Sequence, residues 1–119
     1  MNFLLVFLGG GLGSVLRYLI GSAFQKLTPS LPLATLLSNL LACFIFAFTL
    51  WFLQGKETVQ SSLRFLIFIG FCGGLSTFST FGYETFLLLK QQMYLIASLN
   101  IVLNTALCIL IFYFFHPLR

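Results

Sequence analysis

The sequence predicts an all-α membrane protein of four transmembrane helices, because it is rich in apolar residues and poor in charge. Hydrophobic residues make up 60% of its 119 residues and charged residues 7%, whereas soluble domains carry about 25% charged residues. The mean hydropathy is +1.07. A small soluble domain leaves too much surface in water to hide so much apolar area. We therefore expect a multi-pass protein of the cell membrane, surrounded by lipid.

Four stretches are apolar and long enough to cross a bilayer, which takes about 20 residues per helix. They form one domain over residues 1–119 and cover residues 3–24, 33–53, 63–89 and 94–115. A polar or proline-containing segment follows each of them. Little of the chain is left for an extramembrane domain.

The basic residues are almost evenly divided between the two sides of this domain. One side holds Lys56, Arg64 and Arg119, and the other holds Lys26 and Lys90. If Arg17 is added to the second side, each side holds three. Because lysine and arginine asymmetry sets orientation, we expect insertion both ways round and an antiparallel homodimer. A fixed topology is the alternative. These residues are too scattered to bind nucleic acid.

The first stretch places Gly9, Gly13, Arg17 and Gly21 on one face, at four-residue spacing. Small residues at this spacing let helix backbones approach. An arginine that faced lipid would be costly. This face is therefore expected to meet a partner helix or an aqueous vestibule.

The third stretch contains a run of residues that disfavours a continuous helix. Gly73 and Gly74 are followed by Ser76, Thr77, Ser79 and Thr80. Each glycine costs a helix about 1 kcal/mol relative to alanine, and non-helical backbone in a membrane must be buried in protein or line a watery cavity. In transporters such breaks mark ion sites. We predict a third helix broken near the midplane; close packing would explain the glycines but not the hydroxyl residues.

Polar residues also stand inside the other stretches. Asn39 follows Thr35 by four residues, and Asn104 follows Asn100 in the same way. An unpaired amide in hydrocarbon costs several kcal/mol, so these side chains either join helices or donate to an ion. Glu84 is a functional candidate because carboxylates are rare in membranes, although pairing near the interface is an equal alternative.

The sequence indicates neither an enzyme nor a cysteine metal site. His116 stands alone at the C-terminal edge, without a nucleophile–base pair. Cys43, Cys72 and Cys108 lie inside apolar stretches without metal-type spacing. We expect them to be small packing residues.

The deep polar residues favour an anion over a cation. Cation sites use carboxylates or rings of carbonyls, whereas hydroxyls, amides and an arginine donate hydrogen bonds. Phenylalanine rings add a positive edge. We expect a small, strongly hydrogen-bonding anion to meet Asn39, Phe78, Ser79, Thr80, Phe81 and Asn104.

Three segments resemble motifs of the Fluc (CrcB) family of fluoride channels. Residues 9–18, GGGLGSVLRY, are similar to the family's GGxxGAxxRY, and residues 34–39, ATLLSN, to its GTLxxN. Residues 70–81, GFCGGLSTFSTF, match GxxGGxTTFSTF with Ser76 for the first threonine. The third motif is the most specific.

The resemblance implies a passive fluoride channel that lowers cytoplasmic fluoride and its toxicity, built as an antiparallel dual-topology dimer with two pores. By motif position, Phe78 and Phe81 would line the fluoride path edge-on. Asn39 would donate beside them, and Ser79 and Thr80 would add hydroxyls. The partner would be an identical chain or a paralogue.

The resemblance also implies a vestibule and a metal. Arg17 would stand in the vestibule, and a structural Na⁺ at the dimer centre would be held by backbone carbonyls of Gly73 and Ser76. The chain departs from the family in its fourth helix, where Asn104 and Cys108 replace common serines. Alanines also replace family glycines at Ala34, Ala42 and Ala47.

Two other functions fit parts of the sequence. A small proton-coupled multidrug exporter is also a four-span, dual-topology dimer, but it needs a carboxylate in its first helix. The first stretch has no acid, so Glu84 would have to substitute. A purely structural subunit, with its polar residues acting only in assembly, is the second alternative.

Overall fold

The computed structural model describes residues 1–54 and 60–116, and the regular structure within these ranges is helical throughout. Four helices are long and apolar enough to cross a membrane: Asn2–Leu27, Leu33–Phe52, Ser61–Lys90 and Tyr94–Phe115. The prediction of an all-α protein with four spans is confirmed. Lys56 and Arg119, on which the balance of loop charges partly depends, lie outside the described residues.

The first helix, α1 (Asn2–Leu27), runs beyond the predicted end at Phe24. The backbone N–H of Thr28 donates to the Phe24 carbonyl over 2.7 Å and closes the last turn. Pro29 follows, and proline cannot continue a helical hydrogen-bond ladder. Helix α2 (Leu33–Phe52) begins directly after a second proline.

The third span consists of several segments. They are α3 (Gln60–Leu63), a π-helical segment (Arg64–Cys72), α4 (Gly73–Leu75) and α5 (Phe78–Lys90). Between α4 and α5 the backbone of Ser76 and Thr77 is extended, with ψ angles of 153° and 118°. Glycines before this point and hydroxyl residues after it have low helix propensity, which permits the change of backbone conformation.

Helix α1 packs along the π-helical segment, and glycines let the two backbones touch. A Cβ added to Gly13 would collide with the backbone carbonyl of Phe71, and one added to Gly74 would collide with the carbonyl of Gly10. Such contacts require glycine on both surfaces. The close approach does not reach Gly21, which has no described neighbour within 4 Å of an added Cβ.

The fourth span is α6 (Tyr94–Phe115), and it packs against both α2 and α5. A small buried core of Ala42, Cys72 and Leu75 lies where α2 meets the third span. Leu75 is fully buried and directly precedes the extended residues. The core therefore holds the chain in place directly before the extended residues of the third span.

Candidate functional site

The extended residues of the third span are held by specific hydrogen bonds. In a continuous helix the Thr77 N–H would donate to the Gly73 carbonyl, but here it donates to Asn39 Oδ1 over 2.8 Å. The Thr80 N–H would likewise reach the Ser76 carbonyl, but it donates to Thr77 Oγ1 over 3.2 Å. Thr77 is thus the N-cap of α5.

Asn39 belongs to a chain of side-chain hydrogen bonds that joins α2, α6 and α5. Its Nδ2 donates to Asn104 Oδ1 over 2.9 Å. Asn104 Nδ2 donates to the backbone carbonyl and Oδ1 of Asn100, each over 3.0 Å. Asn100 Nδ2 donates to Thr85 Oγ1 over 2.9 Å, and this hydroxyl donates to the Phe81 carbonyl over 2.8 Å. The network fixes both amides in the groove described next.

A groove of about 280 Å³ opens beside this network. It is lined by Asn39, Cys43, Ser76, Thr77, Phe78, Phe81, Asn104, Thr105 and Cys108. The rings of Phe78 and Phe81 have centroids 5.6 Å apart and planes inclined by 46°. Phe78 is 84% exposed in the single chain, whereas Phe81 is half-buried. The groove thus combines fixed amides with two aromatic rings.

The two amides differ in what they can still donate. Each carries two N–H donors. Asn104 uses its nitrogen for the two contacts with Asn100, so it supports the network rather than a ligand in this arrangement. Asn39 uses one N–H for Asn104 and keeps one. Asn39 is therefore the amide best placed to meet an anion.

A second opening, of about 580 Å³, lies on the other side of Thr77. It is lined by Arg17, Thr35, Thr80 and Glu84, among others. Thr35 Oγ1 donates to Glu84 Oε1 over 2.8 Å, and Arg17 Nε donates to the Gly74 carbonyl over 3.0 Å. We call this opening the cleft. The Arg17 contact ties α1 to the last turn before the extended residues.

The structure brings most, but not all, of the predicted site residues together. Asn39, Phe78, Phe81 and Asn104 line the groove, while Arg17 and Thr80 line the cleft. Ser79 is exposed and lines neither opening; its Oγ lies 3.3 Å from Thr77 Oγ1.

The predicted fluoride path leaves out three residues of this network, Thr77, Thr85 and Asn100, although Asn100 is already expected to join helices or donate to an ion. A signal existed for two of them. Thr77 stands directly before the resumed helix with Thr80 three residues on, as helix N-caps do. Asn100 precedes Asn104 by one turn and so shares its face. The part played by Thr85 depends on how α5 meets α6, which spacing along one helix does not reveal.

Comparison with known proteins identifies the family. A family model described as "CrcB-like protein, Camphor Resistance (CrcB)" matches residues 4–115. A fluoride-specific ion channel FluC of Pyrococcus abyssi is 46% identical over 106 residues, covering 89% of this chain and 85% of that protein. A FluC of Shewanella baltica is 44% identical over 113 residues, covering 94% and 90%. One from Pectobacterium carotovorum is 42% identical over 105 residues, covering 88% and 83%. The chain therefore belongs to the CrcB family of membrane proteins.

Proposed function

We propose that this chain is a fluoride-selective passive channel that lets fluoride leave the cell and so lowers its cytoplasmic concentration and toxicity. The relatives carry the name of fluoride-specific ion channels. The observation that carries the proposal is the groove, where Asn39 presents a free amide hydrogen beside Phe78 and Phe81. Passive passage of an ion requires no catalysis.

The chemistry of the groove suits a small dehydrated anion. Removing water from fluoride is costly, so protein donors must replace it without having to reorganise. The Asn39 amide is already oriented by Thr77 and Asn104. Ring edges of phenylalanine are weakly positive and keep the passage narrow. Larger, more weakly hydrogen-bonding anions such as chloride gain less from such a site, which favours fluoride.

We propose further that the working unit is an antiparallel dimer of identical chains inserted both ways round. A single chain leaves open a groove that holds the amides of Asn39 and Asn104 beside Phe78, which is 84% exposed, and amides facing lipid are unfavourable. A second copy would cover it. The chain is also thin, 21 Å across its shortest axis. The alternative is a dimer with a paralogue, and analysis of the subunit composition of the purified dimer distinguishes the two.

The interruption of the third span is proposed to lie near the membrane midplane and to hold a structural Na⁺. The Thr77 and Thr80 N–H groups bond elsewhere, so the carbonyls of Gly73 and Ser76 lack these helical donors. Hard cations such as Na⁺ are bound by oxygen, and unwound carbonyls serve this purpose in transporters. Carbonyls without helical donors have the chemistry that the ion needs, and an Na⁺ held where two chains meet would be coordinated by these oxygens.

The proposal is tested with liposomes that contain only the purified chain. Liposomes loaded with fluoride are expected to release it rapidly, while those loaded with chloride retain it. Equal release of both anions, or release of neither, contradicts the channel. A proton-coupled exporter is not favoured by the comparisons; it would instead show uptake of organic cations driven by a pH gradient and abolished by Glu84→Gln.

A further inference from the structure

Two cysteines on neighbouring helices, Cys43 and Cys108, line the same groove. Cys43 lies one helical turn after Asn39 on α2, and Cys108 lies one turn after Asn104 on α6. Asn39 and Asn104 are in direct contact over 2.9 Å. Because α2 and α6 are both even-numbered spans and run in the same direction, the next turn of each brings Cys43 opposite Cys108. Both side chains line the groove.

We propose that Cys43 and Cys108 form a binding site for a thiophilic metal ion that accepts two ligands in a line, such as Hg²⁺, Ag⁺ or Cu⁺. Soft thiolates prefer such ions. Among the described residues no third histidine, cysteine, aspartate or glutamate completes a group of metal ligands. The pair therefore suits two-coordinate ions rather than zinc, which takes four ligands.

The binding step balances in protons and charge. Each thiol releases one proton to water, and each resulting thiolate donates an electron pair to the metal. With Hg²⁺ the two negative thiolates balance the two positive charges of the ion, so the complex is neutral and suited to a poorly solvated groove. With Ag⁺ or Cu⁺ one negative charge remains. We expect Hg²⁺ to bind most tightly of the three.

A metal at this site should stop fluoride. The pair is one turn from Asn39 and shares the groove with Phe81, so a bound ion and its ligands would occupy or narrow the passage. This consequence rests on the proposed function, but metal binding itself does not. Cys72 provides an internal reference, because it is a free thiol buried in the core between α2 and the third span.

Binding is tested on the purified full chain, folded in a mild detergent, by titration with mercuric chloride. One equivalent of Hg²⁺ should saturate the ultraviolet absorbance of a mercury–thiolate complex, which reports two thiolates on one ion. Cys43→Ser and Cys108→Ser should each weaken binding by roughly 100-fold, because a single thiol loses the advantage of the linked second ligand. Equal affinity in the wild type and both variants overturns the proposal.

Flux measurements separate this proposal from the channel function. In liposomes, Hg²⁺ should inhibit fluoride release by the wild type, a dithiol should reverse the inhibition, and both serine variants should resist it. Binding to the pair without inhibition supports the metal site and overturns its place in the passage. If one variant does not fold, the other still decides, since each removes one of the two ligands. Inhibition that persists in both variants assigns the effect to another site and overturns the proposal.

Discussion

Asn39 donates from Nδ2 to Oδ1 of Asn104 over 2.9 Å, and this bond joins α2 to α6 beside the extended residues of the third span. The same Asn39 side chain accepts the Thr77 N–H over 2.8 Å. One amide thus replaces the helical partner of an extended residue and connects it to the fourth span. Without it, the non-helical backbone would have an unsatisfied N–H in a part-buried position.

Asn39→Ala is therefore expected to lower both stability and fluoride release. The variant leaves the Thr77 N–H and the Asn104 oxygen without partners, and an unsatisfied buried group costs about 1–3 kcal/mol. Thermal unfolding in detergent measures the first effect and liposome release the second. Ser98→Ala, at an exposed position on α6, is the matched control and should change neither. A fully stable and active Asn39→Ala would contradict the role of this amide in holding Thr77 and in meeting the anion.

Thr77→Val is expected to destabilise α5 while nearly preserving side-chain volume. Thr77 Oγ1 caps the helix by accepting the Thr80 N–H over 3.2 Å, and loss of a threonine cap typically costs about 0.5–2 kcal/mol. Thr77→Ser keeps the oxygen and should stay close to the wild type in thermal unfolding. A loss in Thr77→Ser without a loss in Thr77→Val would mean that the methyl group, and not the cap, matters.

The packing of α1 offers a sharper test, because Gly13 and Gly21 lie on the same face of the helix but differ in their surroundings. Gly13→Ala forces its new Cβ onto the backbone carbonyl of Phe71, and overpacking costs about 1–3 kcal/mol. Gly21→Ala meets no described atom within 4 Å and should gain up to about 1 kcal/mol in helix propensity. Unfolding temperatures should therefore shift in opposite directions, and a parallel shift would refute this account of the contact.

Much of this arrangement could be predicted from the sequence. Apolar length alone gives the four spans, and glycine spacing locates the face on which α1 meets the third span. The hydrogen bond from the Thr77 N–H to Asn39 could not be predicted in this way, because Asn39 lies 38 residues away on α2. The pairing of Cys43 with Cys108 likewise depends on the register between two helices. Single-helix periodicity carries no information about that register.

Arg17 combines a charge with a hydrogen bond, and two substitutions separate them. Its Nε donates to the Gly74 carbonyl over 3.0 Å, and its side chain lines the cleft. Arg17→Lys keeps the charge but not this donor geometry, so stability should fall by about 1 kcal/mol or more while fluoride release keeps its dependence on ionic strength. Arg17→Gln keeps an N–H donor but loses the charge, so the dependence on ionic strength should weaken.

Thermal unfolding and release at two salt concentrations measure both effects. If Arg17→Gln retained the full salt dependence, the charge in the cleft would not attract the anion. If Arg17→Lys unfolded at the wild-type temperature, the bond to Gly74 would contribute little to the last turn of α4.

The two rings of the groove are expected to matter for conduction more than for folding. Phe78→Ile and Phe81→Ile keep a hydrophobic side chain but remove the aromatic edge, whose positive rim is the proposed contact for fluoride. Because Phe78 is 84% exposed in the single chain, its replacement should hardly alter the fold of one chain. Fluoride release should nevertheless fall by at least about tenfold, which corresponds to about 1.4 kcal/mol of barrier.

Phe86→Ile is the matched control for the ring substitutions, since Phe86 is also exposed on α5 but does not line the groove. It should release fluoride at nearly the wild-type rate. The comparison between positions 78 and 86 separates a requirement for an aromatic edge in the groove from a general loss of aromatic surface. Equal flux in all three variants would leave the hydrogen-bond donors, led by Asn39, as the sole basis for anion passage.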